Sequence, residues 1–363
     1  MIIDVHCHYT YTARRLPSDV PRFSFEARDA PGAFGFDSCV APRIVSQLKW
    51  RGLRWLLKIP TSIPAGAELD RHLDRVHEEH LLSPGPIERF VLLAFDAYHN
   101  DDGTRPPLPT HSRQFGSDIY TSNTLIRDAC RRRPDRFLFG ASIHPYRENA
   151  VDCVREVFAA GACLIKWLPL HQNINIEDPR TIAVLRVCHE LGLPVLVHYN
   201  EEFTLKSQRP EYRDIAPALR VLNKMHRARE MPPVIVAHVA TPIVPWGDRK
   251  PMHALLHALE TDFADAPLYA DLSALTTFGK VGFLRQIAQR TDLHGRFLFG
   301  SDFPVPLGLP RLRWDLQSDY RLIKAERSWP QQVAHVYRRL GFQDVVFQHA
   351  ARLLPNLHAF ART

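Results

Sequence analysis

Eight short apolar segments alternate with segments of helical pattern, and this alternation predicts an α/β protein with a (β/α)8 TIM-barrel fold. The length of 363 residues accommodates one such barrel with insertions. No linker divides the sequence, so we expect a single domain over residues 1–363. The long segment 9–88, between the first two predicted strands, is expected to form an insertion or lid, and extra helices are expected at the C-terminal end.

The first predicted strand, Ile2–His8, is apolar and ends in two histidines one residue apart. Alternate side chains of a strand share a face, so Asp4, His6 and His8 are expected to point to one side. Seven further apolar segments are predicted to be buried strands: Phe90–Asp96, Phe137–His144, Ala162–Trp167, Pro194–His198, Val234–His238, Leu268–Ser273 and Arg296–Asp302.

Helical patterns fill the intervals between these strands. Two helices, Arg43–Lys58 and Glu68–Leu82, are predicted inside the insertion, the first with an apolar stripe that should pack on the barrel or on another subunit. Within the second, His77-Glu78-Glu79-His80 has the wrong spacing for a helical zinc-protease motif and is interpreted as a solvent-exposed face. Further helices are predicted near 122–132, 151–158, 179–191, 330–340 and 343–354.

Composition narrows the classes of partner. The formal charge is +7, yet the sequence has no zinc-finger spacing and no basic stripe with interleaved aromatics, so we expect no nucleic-acid partner. No segment is apolar over a membrane-spanning length, so no membrane partner is expected. A small-molecule substrate, anionic if the positive charge attracts it, is the expected partner. A homo-oligomer formed through apolar residues of the insertion stays open.

The six cysteines form no Cys-x-x-Cys pair, and no signal-peptide pattern precedes the first strand. Free thiols in a reducing compartment are the simplest interpretation, and they predict a cytoplasmic protein.

Metal-ligand residue types end five of the eight predicted strands: His6 and His8, Lys166, His198, His238 and Asp302. In a (β/α)8 barrel these ends meet at one mouth, where the active sites of this fold lie. A single strand-end histidine is usually an ordinary loop residue. Ligand-type residues at five of the eight strand ends, however, indicate a metal site. Imidazoles with a carboxylate match Zn²⁺ best, with Mn²⁺ as the alternative, and we expect one or two ions per chain.

Four pieces of the sequence together resemble the amidohydrolase superfamily. They are Ile3-Asp4-Val5-His6-Cys7-His8, the strands ending at His198 and at His238, and Phe299-Gly300-Ser301-Asp302-Phe303-Pro304. More narrowly, the chain resembles the amidohydrolase-2 group, which also holds non-oxidative decarboxylases. The resemblance covers the barrel from the first strand to the last and does not extend to residues 9–88.

The resemblance implies roles for the strand-end residues. His238 would polarise the substrate in the one-metal branch or bind a second ion in the two-metal branch. Lys166 would be carboxylated by CO2 and bridge two ions in the two-metal branch; otherwise it would stay an ammonium that contacts an anionic substrate or a carboxylate such as Asp4. The more widely shared ion would be held by His6, His8, His198 and Asp302.

The expected activity is metal-dependent hydrolysis of a C–N or C–O bond in an amide, lactam or lactone. In this interpretation a metal-bound hydroxide is the nucleophile, and Asp302 acts as general base and then as general acid, with His238 assisting at the oxyanion. Metal-dependent non-oxidative decarboxylation of an aromatic or unsaturated carboxylic acid is the alternative reaction. An inactive barrel that serves as an interaction protein is the third hypothesis, and it predicts broken ligand positions.

Substrate contacts are expected from the loops that follow the strand ends. His144 and His171, just beyond the third and fourth strands, are the best candidates. Arg14 and Arg15 follow the first strand and would suit a substrate that carries a carboxylate. Weaker candidates in the same loops are Tyr9, Trp167, Tyr199, Asn200, Glu201 and Trp246.

Overall fold

The computed structural model describes residues 1–27, 33–111 and 113–361. Within these ranges the chain forms eleven strands: β1 (Ile3–His8), β2 (Ala13–Arg14), β3 (Ser38–Val40), β4 (Arg89–Leu93), β5 (Ile119–Thr121), β6 (Phe137–Ala141), β7 (Ala162–Trp167), β8 (Val195–Val197), β9 (Val234–Val236), β10 (Leu268–Asp271) and β11 (Phe297–Leu298). The α-helical segments are α1 (Ser24–Ala27), α2 (Pro42–Val45), α3 (Leu48–Leu56), α4 (Ala67–Leu81), α5 (Asn123–Arg132), α6 (Ala150–Ala159), α7 (Pro169–Gln172), α8 (Pro179–Glu190), α9 (Ala216–Arg227), α10 (Lys250–Glu260), α11 (Val281–Ala288), α12 (Arg313–Leu316), α13 (Tyr320–Ala325), α14 (Trp329–Arg339), α15 (Asp344–Gln348) and α16 (Ala350–Leu353).

Eight of the strands form one parallel sheet in the order β1-β4-β6-β7-β8-β9-β10-β11. Its two edges meet through backbone hydrogen bonds, because the Val5 N–H donates to the Phe299 carbonyl at 3.1 Å and the Asp302 N–H donates to the His6 carbonyl at 2.9 Å. The sheet is therefore a barrel, and the predicted (β/α)8 TIM-barrel fold is confirmed. Its interior is filled by apolar side chains from all around the sheet, including Ile3, Val5, Val91, Leu93, Leu138, Leu164, Leu196, Ile235 and Leu298.

Several predicted strands end earlier than expected. The strand ending at His238 stops at Val236 and passes into a 3-10 turn, Ala237–Ala240. The last strand keeps only Phe297–Leu298 of the predicted Arg296–Asp302. Backbone pairing stops where each strand turns away from the neighbouring strand. Most of the ligand-type residues therefore lie at a strand end or just past it.

The predicted alternation along β1 is wrong in one respect. The pairing of β1 with β4 shifts between Asp4 and Cys7, and Ile3 and Val5 face the barrel interior. Asp4 therefore does not share the cavity with the two histidines. Its Oδ1 accepts the N–H groups of His6 at 3.1 Å and Ser301 at 3.0 Å, and burial raises the pKa of this carboxyl to about 6.

The insertion carries the helices α2, α3 and α4. It also supplies two strands, β2 and β3, of a small antiparallel sheet whose order is β2-β3-β5. The helix predicted over Glu68–Leu82 is found as α4, whereas the one predicted over Arg43–Lys58 is divided between α2 and α3. Within the insertion, Asp70 joins α4 to the segment after β1, since its carboxylate accepts the Thr12 N–H at 2.7 Å and the Ala13 N–H at 3.2 Å.

The solvent-exposed interpretation of His77-Glu78-Glu79-His80 is wrong for its two histidines. His77 and His80 are buried on α4, while the two glutamates between them are exposed. His80 Nδ1 accepts the Trp329 N–H at 3.1 Å and so joins α4 to the first turn of α14. This packing is a tertiary contact that helical spacing alone does not reveal.

Among the helices of the described ranges, none has the length and apolar composition required to cross a bilayer. All six cysteines are buried free thiols.

Candidate metal centre

The structure brings all six strand-end residues to one cavity at the C-terminal mouth of the barrel. We call this set the candidate metal centre: His6, His8, Lys166, His198, His238 and Asp302. Each comes from a different position in the chain, and the barrel closes them into one group because the C-terminal ends of parallel strands meet.

The ligand-type atoms lie close together. His8 Nε2 and His6 Nε2 are 3.0 Å and 3.3 Å from Asp302 Oδ1. His238 Nε2 is 3.9 Å from Asp302 Oδ2, and one ligand atom each of His6, His238 and Asp302 lie within 4.8 Å of one another. The ring of His198 stands edge-on to that of His238 at a centroid distance of 5.0 Å. This spacing fits ligands that share a small cation.

A second layer of residues orients the two central imidazoles. Asp271, at the end of β10, accepts the Nδ1–H of His6 at 2.8 Å through Oδ2 and the His238 backbone N–H at 2.9 Å through Oδ1. The Ser273 carbonyl accepts a hydrogen bond from the His238 Nδ1–H at 3.0 Å. Both histidines therefore donate their Nδ1–H to a protein acceptor and turn Nε2 toward Asp302. Metal-ligating histidines normally donate their second ring N–H to a carboxylate or carbonyl in this way.

Sequence reasoning missed Asp271, although a signal was present. Asp271 and Ser273 stand within the predicted seventh strand, Leu268–Ser273, and are fully buried. A carboxylate that ends a buried strand needs a partner, and here the partner is His6 of the candidate metal centre.

Burial sets the protonation of the centre. It lowers the pKa of His6 and His238 well below the usual range and that of His198 to about 4, so all three imidazoles are neutral at pH 7 and have a lone pair for a metal. Burial acts in the opposite direction on Asp302, but His6, His8 and Lys166 outweigh it and hold the pKa of that carboxyl below its usual value. The donor set is therefore an anionic carboxylate among neutral imidazoles.

Lys166 lies inside the centre. Its Nζ is 3.2 Å from His6 Nε2, and burial lowers its pKa to about 8. Its side chain contacts His6 and not Asp4, which was the alternative partner considered from the sequence.

Two backbone segments of the centre adopt the left-handed conformation that side chains rarely take. Asp302 has φ 63°, and His238 has φ 55°, followed by Val239 at 52° and Ala240 at 49°. Residues held this way cost about 1–3 kcal/mol each and cluster at functional sites. The turn after β9 is fixed by Asn200, whose Nδ2 donates to the Ala240 carbonyl at 2.8 Å.

The two histidines predicted to contact substrate lie outside the cavity. His144 is buried, with Nδ1 accepting the Tyr146 N–H at 3.0 Å and Nε2 donating to the Gln172 carbonyl at 2.8 Å. His171 Nε2 accepts the Asp118 N–H at 3.2 Å, and its Nδ1–H points to the Lys206 carbonyl at 3.0 Å. Both rings use their nitrogens to fix loops.

The predicted arginines also point elsewhere. Arg14 forms an ion pair with Asp74 at 2.7 Å and lies over the Tyr11 ring, while Arg15 is exposed and contacts Phe36. Neither lines the cavity. Of the six weaker candidates, Glu201 and Trp246 line the cavity. The other four lie outside it: Tyr9, Trp167, Tyr199 and Asn200.

The cavity above the centre has a volume of about 780 Å³. One side, which we call the apolar wall, consists of insertion residues, and an aromatic rim surrounds the opening. Five charged side chains that the sequence gave no reason to choose also line it: Lys49, Arg54, Glu202, Lys280 and Arg311. The apolar wall consists of Ile44, Leu53, Leu57, Leu73 and Val76, and the aromatic rim of Trp55, Phe203, Trp246 and Phe278.

A parallel (β/α)8 barrel with histidines and a carboxylate gathered at its C-terminal mouth defines a class of barrel enzymes built around a metal site. An amidohydrolase family model, that of the amidohydrolase-2 group, matches residues 93–355. The chain therefore belongs to the amidohydrolase family, whose members are enzymes and generally depend on metals. β1, with His6 and His8, precedes the matched range, and its place in the centre comes from the structure.

The solved structures that this chain resembles are remote in sequence. An uncharacterized TIM-barrel protein from Bordetella bronchiseptica is 17% identical, with 94% of this chain and 99% of that chain covered and a TM-score of 0.50. A probable 2-pyrone-4,6-dicarboxylic acid hydrolase from Acinetobacter baumannii is 14% identical over 98% of this chain and 97% of that chain, with a TM-score of 0.47. A 2,6-dihydroxybenzoate decarboxylase from Rhizobium is 13% identical over 93% and 99%, with a TM-score of 0.44. A search of curated proteins gave no match.

Proposed function

We propose that the protein is a metal-dependent hydrolase that cleaves a C–N or C–O bond in an amide, lactam or lactone. The observation that carries this proposal is the position of Lys166 Nζ, 3.2 Å from the nitrogen that His6 offers to a metal. An ammonium there would repel a bound cation, so metal binding favours a lysine that is neutral or has been converted to an anion. A modified lysine belongs to the hydrolytic interpretation and not to the decarboxylase interpretation.

The residues present fit a divalent metal. Three neutral imidazoles and the ionised Asp302 supply the donor types that Zn²⁺ prefers, with Mn²⁺ as the alternative. The ligands would be His6, His8, His198, His238 and Asp302, with one or two ions per chain. When bound, such an ion supplies Lewis acidity, which lowers the pKa of water and polarises a carbonyl group.

Asp302 is suited to move the proton. Its carboxylate is ionised and directed at the shared centre of the histidines, so it can accept a proton from the attacking water. A bond then forms between the water oxygen and the carbonyl carbon, the C–N or C–O bond breaks, and the same proton passes to the leaving nitrogen or oxygen. His238 Nε2, 3.9 Å from Asp302 Oδ2, stands where it can contact the oxyanion of the attacked carbonyl.

Lys166 is the proposed site of carboxylation. The neutral amine attacks the carbon of CO2, a new N–C bond forms, and one proton is released, which leaves a carbamate anion on Nζ. The burial that lowers the pKa of Lys166 to about 8 makes the neutral amine more available. The anion would then replace a cation beside His6 and could bridge two ions.

Metal content, carbamate and turnover together test this function. Protein purified from medium with Zn²⁺ or Mn²⁺ is assayed by elemental mass spectrometry, by ¹³C NMR in ¹³C-bicarbonate, and against a panel of aryl amides, lactams and lactones. We expect bound metal, a carbamate resonance and hydrolysis. The resonance should vanish in Lys166→Met and persist in Lys324→Met, which changes an exposed lysine on α13.

Two other results would replace the proposal. A single ion without carbamate, together with CO2 release from aromatic acids, would identify a decarboxylase. Protein that retains no divalent metal and turns over no compound of the panel would support a barrel that acts as an interaction protein.

A further inference from the structure

Lys280 is a buried cation in the cavity that the proposed chemistry does not use. It lies nine residues after the end of β10, directly before the first residue of α11, and is 6% exposed. Its side chain lines the cavity and acts electrostatically on His238 and His198, lowering the pKa of both imidazoles. The ammonium of Lys280 therefore faces the candidate metal centre.

Within the described ranges, Lys280 Nζ has no hydrogen bond or ion pair. The acidic side chains around it interact with other groups, since Glu201 lies 3.8 Å from Arg213, Glu202 lies 3.9 Å from His198, and Asp271 is bonded to His6. The side chain is buried, but its ammonium opens into the cavity, where an anionic ligand can supply the missing partner. Burial lowers its pKa, which is the shift that such a partner would reverse.

The other cations of the cavity are engaged elsewhere. The Lys49 ammonium donates to the Phe203 carbonyl, and the Arg54 guanidinium donates to the Ile63 carbonyl at 2.8 Å. The Arg311 guanidinium lies 4.7 Å from the centre of the Phe278 ring. Outside the candidate metal centre, Lys280 is thus the cation best placed to meet a ligand that enters the cavity.

The remainder of the cavity is apolar. Leu53, Leu57 and Val76 of the apolar wall face it, and the aromatic rim stays largely exposed, with Trp55 at 73% and Trp246 at 84%. Single exposed aromatics are ordinary, but four around one opening indicate a surface that binds apolar groups. A volume of about 780 Å³ accommodates a ligand of some tens of heavy atoms.

We propose that Lys280 binds an anionic group of the substrate while the apolar wall and aromatic rim hold an aromatic or acyl body. The substrate class is therefore an apolar amide, lactam or lactone that carries a carboxylate or a similar anion. This inference rests on the proposed function for the bond that is cleaved, but the binding of the anion requires only the cavity.

Binding of a matched pair of probes tests the proposal. The pair is 6-phenylhexanoate and 6-phenylhexanamide, which share an apolar body and differ in charge, and affinities are measured by isothermal titration calorimetry. The measurement is made on metal-loaded and on chelator-treated protein, because a metal could also attract the carboxylate. We expect the wild type to prefer the carboxylate by about tenfold or more in both forms, since a hydrogen bond to a charged group is lost with the amide.

Substitution assigns this preference to one residue. Lys280→Met should reduce it to less than about twofold in both forms while leaving affinity for the amide within about twofold, whereas Lys280→Arg should keep it. Lys250→Met is the matched control, because Lys250 is exposed at the start of α10 and lies outside the cavity, and we expect the wild-type preference there. If Lys280→Met does not fold, Lys280→Gln replaces it in the same measurement.

Three results would overturn the inference: binding of neither probe, equal binding of both probes to the wild type, or an unchanged preference in the folded Lys280 variants. A preference found only in metal-loaded protein would assign the anion to the metal and overturn it as well. None of these results contradicts metal binding or amide hydrolysis, so this inference and the proposed function can fail separately.

Discussion

The two sides of the cavity are built in opposite ways. The candidate metal centre consists of side chains at the ends of barrel strands, all but one of them buried and oriented by second-layer contacts such as that of Asp271 with His6. The apolar wall comes from the insertion, and its neighbour Trp55 is 73% exposed. The barrel thus holds the candidate ligands with buried, hydrogen-bonded groups, whereas the insertion supplies apolar surface that we expect to vary without disturbing them.

The contacts of the two regions explain this independence. The centre rests on strand pairing and on buried hydrogen bonds such as that of the Asp302 N–H with the His6 carbonyl at 2.9 Å. The insertion is joined to the barrel by polar contacts that use none of the six residues of the centre, among them Glu26 with the Asn123 N–H at 2.7 Å and His80 with the Trp329 N–H at 3.1 Å. Substitutions in the centre should therefore affect metal and turnover, and substitutions in the wall or rim should affect substrate affinity.

The largest effect is expected from Asp302→Asn. The amide cannot accept the proton from water, so kcat should fall by about 10³-fold, within the usual range for loss of general acid–base catalysis. Turnover of the best substrate from the hydrolysis panel and the metal content are measured together. Undiminished turnover would contradict the role of Asp302 and remove the main difference between the two regions.

A smaller effect is expected from Asp271→Asn, because it acts through His6. Loss of the carboxylate that holds His6 Nδ1 should weaken metal affinity by about 10–100-fold, measured by competition with a chromophoric chelator. Asp265→Asn changes an exposed carboxylate outside the cavity and should leave the affinity as it is. Equal affinities in all three proteins would show that the orientation of His6 does not matter for metal binding.

The smallest effect is expected from Trp55→Ala on the aromatic rim. Removal of one partly exposed aromatic contact should weaken binding of 6-phenylhexanoate by about 3–10-fold while metal content stays unchanged. Trp314→Ala serves as the control, since Trp314 is 85% exposed and does not line the cavity. A loss of metal in Trp55→Ala would mean that the two regions are coupled after all.

Sequence reasoning reached the candidate metal centre but not the substrate side of the cavity. His6, His8, Lys166, His198, His238 and Asp302 were found because each stands at or near the end of an apolar strand, a pattern visible locally. His144 satisfied the same pattern and yet lies outside the cavity, because its ring nitrogens bond to Tyr146 and Gln172. Position along a strand does not distinguish a side chain that enters the cavity from one that fixes a loop.

The insertion shows the same limit. Helical periodicity predicted α4 nearly to the residue, since fifteen consecutive helical residues give a strong pattern. It did not reveal that His77 lines the cavity or that His80 is buried against α14, because those contacts join segments far apart in the chain.

The sequence by itself determined the eight strands, their order and the ligand-type residues at their ends, because hydrophobic periodicity and strand-end chemistry are local properties. Only the tertiary structure decided which polar groups face the cavity, that Asp271 orients His6, and that Lys280 forms no ion pair with the residues that the structure describes. These properties depend on which side chains, distant in the sequence, pair through hydrogen bonds and charges. Closure of the barrel determines those pairs because it brings the distant side chains together.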